Sequence, residues 1–123
     1  MTTRPVITLD KRGGMAMDIP IKKDLDAIVA KIALLLPDAK VYLFGSFASG
    51  TQRDDSDIDL CVVAPSLKGE QIGTMTSIRL AIMDATELPV DVLAFEAGAF
   101  EDRAKLRSTI QHTIANKGVL LNG

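Results

Sequence analysis

The stretch Asp57-Ile58-Asp59-Leu60-Cys61-Val62-Val63 constrains this chain more than any other. It reads as a strand closed by Pro65, and in a strand alternate side chains share a face. Asp57 and Asp59 therefore project together, while Ile58 and Leu60 point the other way. A solvated acidic loop explains Asp54 and Asp55, which receive no role. It explains Asp57 and Asp59 poorly, because Leu60, Cys61 and Val62 carry the segment onward as a buried strand. Two carboxylates held so close repel each other unless a cation lies between them. Charged oxygens are the preferred ligands of Mg2+ or Mn2+. The glycine and distal glutamate of a calcium-binding EF-hand loop are absent.

The rest of the chain supplies a sheet and its cover. Leu25, Ile28, Val29, Ile32, Leu35 and Leu36 follow three-four spacing over a helix from Lys22 to Leu36, ended by Pro37. Val41 to Phe44 is a short strand that stops at Gly45-Ser46. A turn or helix start follows, then a loop from Gly50 to Ser56. Lys68 to Ala85 is helical, with Ile72, Met75, Ile78, Ile82 and Ala85 on one side. Val90 to Phe95 is a third strand, and Ala99 to Asn116 a last helix stopped by Gly118 as a C-terminal cap. Residues 1–20 read as a tail or loose hairpin, and residues 21–123 as one domain. The expected class is α/β (α+β): a small mixed sheet of three to five strands flanked by helices.

Composition narrows the function. The chain has 123 residues, with 14 basic against 16 acidic side chains and a net charge of −2. That leaves no basic excess for a phosphate backbone, and one Tyr without Trp offers few rings for stacking bases, so no direct nucleic-acid contact is expected. The longest apolar runs, Ile32–Leu36 and Leu60–Ala64, fall far short of a membrane span. Cys61 stands alone, so a thiolate metal cluster is excluded and core packing is its expected role. With no signal peptide in view, the expected setting is cytoplasmic. His112 has no second His with which to build a zinc site. Arg103, Lys105 and Arg107 read as a solvated helix face.

Two further features complete a candidate site. Asp91 sits between Val90 and Val92, where propensity and desolvation both disfavour an aspartate that lacks a partner. If its strand lies beside the one from Asp57, the three carboxylates cluster. Such a cluster can hold two metals about 4 Å apart, which clamp the attacking and leaving oxygens of a phosphoryl or nucleotidyl transfer. Gly45-Ser46 allows close backbone approach to a ligand and adds a hydroxyl donor. Taken alone, it is an ordinary strand-to-helix turn with an N-cap serine. It is neither a P-loop, since Thr51-Gln52 follows Gly50 where Lys-Ser/Thr is required, nor a dinucleotide fingerprint.

Gly45-Ser46, a short helical turn and then Ser56-Asp57-Ile58-Asp59-Leu60 resemble the signature of the DNA-polymerase-β-like nucleotidyltransferase superfamily. In so short a chain the pattern is similar to the minimal nucleotidyltransferase family, over roughly residues 20 to 118. The resemblance implies the polymerase-β-like fold. It implies that Gly45, Ser46 and Ser56 bind the nucleotide, that Asp57 and Asp59 bind both Mg2+ ions, and that Asp91 binds one and helps deprotonate the attacking hydroxyl. The substrate implied is ATP, and the partner a HEPN-domain toxin that receives AMP on a tyrosine. The chain departs from many relatives at Ser49, where they carry Arg; Arg53 follows a few residues on. Neutralisation of the partner by binding alone, and transfer to a small molecule, are the alternatives. Pairing of residues 1–20 with the sheet edge or a second copy would contribute to assembly.

Overall fold

The computed structural model describes residues 21–67 and 70–122. The expectation for residues 1–20 lies outside them. The elements run α1 (Lys22–Leu35), β1 (Lys40–Phe44), α2 (Ser46–Ser49), β2 (Ile58–Ala64), α3 (Gln71–Ile82), β3 (Val90–Glu96), α4 (Ala97–Ala104), α5 (Ile110–Lys117) and β4 (Val119–Leu120). The four strands form one mixed sheet in the order β3-β2-β1-β4. β1 pairs antiparallel with β2 and with β4, whereas β2 and β3 are parallel. Parallel neighbours need a crossover, and α3 provides it.

Alternation along the strands sorts the side chains into two layers. Val41, Leu43, Ile58, Leu60, Val62, Val92 and Ala94 face α1 and α3, where Leu25, Ile28, Ile32, Ile78 and Ile82 meet them. On the other face Cys61 and Val63 pack with Phe100 of α4 and Ile114 of α5. Tyr42 stacks on Phe100 with centroids 5.9 Å apart. Because both faces are covered, Leu60, Cys61 and Val62 are all fully buried. An unbroken apolar run in a strand reports such two-sided cover. Cys61 is thus a core residue, and burial pushes its thiol up to about 12.

Several boundaries differ from the sequence reading. β2 begins at Ile58, so Asp57 lies just outside it. Helix α3 is shorter than expected, and Ile72 in its first turn is 72% exposed rather than packed. Leu35 also faces solvent at the end of α1. The expected last helix is two. Thr109 separates them: its hydroxyl bonds the Arg103 and Leu106 carbonyls and accepts the His112 N–H, capping α5. His112 is half-buried, and its Nδ1 donates to the Ala104 carbonyl at 2.9 Å, which ties the two helices together. Gly118 ends α5 without a left-handed turn (φ −71°). A Cβ there would lie 2.5 Å from the Ile114 carbonyl and 3.3 Å from that of Leu43, so close approach of backbone selects the glycine. The chain then adds β4, and Asn122 reaches back to bond Val41 N–H and the Ala39 carbonyl. Among the described residues no helix is long and apolar enough to cross a membrane.

Candidate active site

The corner after β1 is built by glycines. Gly45 has φ 77° and ψ −153°, and Gly50 is left-handed at φ 78° and ψ 18°. Between them α2 makes a single turn, anchored to the core by Phe47. Gly45 O accepts from Ala48 and Ser49, while the Ser46 carbonyl accepts from Thr51 and from the Gly50 N–H. The first N–H groups of the turn, on Ser46 and Phe47, have no intrahelical acceptor. A Cβ at position 45 would overlap Oδ2 of Asp59. The Gly-Ser corner therefore rests directly against that carboxylate, and no other residue permits both the angle and the contact.

Sheet register brings the acids together. Phe44 is opposite Asp59 on β1, and Asp59 is opposite Asp91 on β3. Paired residues of neighbouring strands project to the same face, which places Asp59 and Asp91 side by side. Desolvation raises the Asp59 carboxyl above its ordinary value, and the negative charges of Asp91 and then Asp57 raise it further. Asp57 and Asp91 are exposed and Asp59 is half-buried. The desolvated acid is thus Asp59, not Asp91 as the strand pattern implied, because Asp91 stands at the open start of β3. Among the described residues no three acidic, His or Cys side chains already enclose a metal position. The carboxylates share one end of the sheet as an open set.

The connecting loop contributes its own contacts. Ser56 N–H donates to the Arg53 carbonyl at 3.1 Å, and Ser56 Oγ accepts the Arg53 N–H at 2.7 Å. Ser49 donates to the Ser46 carbonyl and bonds the Thr51 hydroxyl at 2.8 Å. Gln52 carries a buried side-chain oxygen with no hydrogen-bond partner among the described residues. Nothing in the sequence marks that residue, since its burial follows from the loop's path. A 570 Å³ cleft lined by Leu36, Ala64, Pro65 and Ile78 lies at the far end of β2, away from the acids.

The sequence pattern of the nucleotidyltransferase domain matches residues 25–116, most of the chain, from the first turn of α1 to the last turn of α5. The chain belongs to that family. No curated protein sequence matches it significantly. Two solved structures share the fold of this nucleotidyltransferase domain. One is a crystal structure of a toxin-antitoxin with AMP-PNP, 24% identical with a TM-score of 0.54, covering 80% of this chain and 72% of the other. The second is a Sulfolobus solfataricus protein with a provisional nucleotidyltransferase assignment, also 24% identical with a TM-score of 0.54, covering 94% and 90%.

Proposed function

We propose that this nucleotidyltransferase domain transfers AMP from ATP to a hydroxyl with the help of divalent metal, and that it serves as the antitoxin of a HEPN-domain toxin by modifying a tyrosine. One observation carries the reading: Asp59 and Asp91 stand in register on adjacent strands, with the Gly45 corner seated on Asp59. The donor set suits Mg2+ or Mn2+, because it consists of carboxylate oxygens, one of which, on Asp59, belongs to a carboxyl raised by burial and by the charges of Asp91 and Asp57. Asp57, Asp59 and Asp91 would hold the metal, which when bound supplies charge neutralisation at the triphosphate and at the attacked phosphorus. Ser46, with the first N–H groups of its turn, orients the triphosphate. Asp91, open to solvent at the start of β3, accepts the proton of the attacking hydroxyl. Attack at the α-phosphorus releases pyrophosphate.

The toxin setting is supported by the fold shared with the structure of a toxin-antitoxin with AMP-PNP. It also accords with a lone buried cysteine, which is suited to a reducing cytoplasm. A second reading, neutralisation by binding alone, has one observation in its favour. Ser49 stands where the family resemblance leads one to expect Arg, and its hydroxyl is engaged by the Ser46 carbonyl and the Thr51 hydroxyl. Incubation with α-labelled ATP, Mg2+ and a HEPN-domain toxin separates the two. Label transfer that disappears in Asp59→Asn supports catalysis. Neutralisation that persists in Asp59→Asn without label transfer overturns it.

A further inference from the structure

We propose that Ser56 is a positioning residue that fixes the Asp57 carboxylate through a closed turn back to Arg53. The proposal rests on reading Asp57 as a metal ligand. Asp57 lies one residue ahead of β2, outside the strand pairing of the described residues. Two anchors flank it instead. On one side Ser56 bonds Arg53 twice, through its N–H and through its Oγ. On the other, Ile58 N–H donates to the Pro89 carbonyl at 2.9 Å, just ahead of β3. A single residue spanning two pinned neighbours has little freedom in φ and ψ, and its side chain is aimed accordingly.

The clamp works against a local charge problem. Asp54, Asp55 and Asp57 lie within four positions, all exposed, and their mutual repulsion favours opening of the turn. Without Oγ, the turn retains one bond and the Arg53 N–H goes to water. A serine hydroxyl accepts that N–H and still has its own proton free, and threonine offers the same lone pairs; alanine offers none. A Ser56 that only donated to a phosphate would leave metal binding by the nucleotide-free protein untouched. The two roles are therefore separable.

The experiment is a Mn2+ titration of the nucleotide-free full chain, followed by electron paramagnetic resonance, alongside amide exchange at Arg53. Ser56→Ala is expected to weaken Mn2+ binding about two- to tenfold, the range for one lost hydrogen bond, and to speed exchange of the Arg53 amide. Ser56→Thr is expected to restore both. Unchanged Mn2+ affinity in Ser56→Ala, or no recovery in Ser56→Thr, overturns the proposal. Asp57→Asn keeps the two failures apart. If it binds Mn2+ like the wild type, the metal-ligand reading of Asp57 fails; if it binds weakly while Ser56→Ala does not, the positioning role alone fails.

Discussion

A methyl group at position 45 would occupy the space taken by the Asp59 carboxylate, in a backbone conformation that L residues rarely adopt. Gly45→Ala is therefore expected to cost about 1–3 kcal/mol in folding stability and to abolish nucleotide binding, checked by thermal melts and calorimetry. Asp59 allows a prediction with a defined pH direction. Its carboxyl is raised in the fold, first by desolvation and then by Asp91 and Asp57. The folded chain thus holds this proton more tightly than the unfolded chain does. That contribution to stability is complete at acid pH, below the usual carboxylate range, and is lost as pH rises through the elevated value. In metal-free protein, Asp59→Asn is expected to melt higher than the wild type at pH 7, with the gap closing toward pH 3. The same variant is expected to lose activity by about 10²–10³-fold, measured as label transfer from ATP. A melting gap that widens on acidification contradicts the charge-crowding account.

Among the elements, the α4–α5 break is the clearest departure from the sequence reading. Leu106 and Ile110 extend the apolar spacing of a long helix across it, yet both are about half exposed. Ser108-Thr109 interrupts that pattern with good capping residues, a signal that periodicity outweighed. Thr109→Ala removes the cap and is expected to destabilise the fold by about 1 kcal/mol while leaving nucleotide affinity unchanged, read by denaturant unfolding and calorimetry. The strands β1, β2 and β3 were legible because their apolar runs are short and bounded by Gly or Pro. β4 was not, because two residues carry no periodicity and their place depends on Gly118 and Asn122 meeting β1. The candidate acids were legible as a local pattern around Asp57 and Asp59. The seat of Gly45 on Asp59 was not, since it follows from the pairing of Phe44 with Asp59 across the sheet.

At the scale of the whole molecule, two helical layers bury the middle of the sheet and, among the described residues, leave the end that carries Asp59 and Asp91 open. α1 and α3 cover one face, and α4 and α5 cover Cys61 and Val63 on the other. Asp59 and Asp91 continue that second face one step beyond the cover, where a rigid core sets their spacing and solvent still reaches them. The same arrangement leaves the acids open: burial and the charges of Asp91 and Asp57 raise the Asp59 carboxyl, and among the described residues no three acidic, His or Cys side chains enclose a metal position. The most direct test is calorimetric titration of AMP-PNP into the wild type and Asp91→Asn, with Mg2+ and then with EDTA. The account predicts binding that depends on Mg2+ and weakens at least about tenfold in Asp91→Asn, the scale on which a lost charged contact counts. Equal affinity in EDTA, or an Asp91→Asn variant that binds like the wild type in Mg2+, would contradict it.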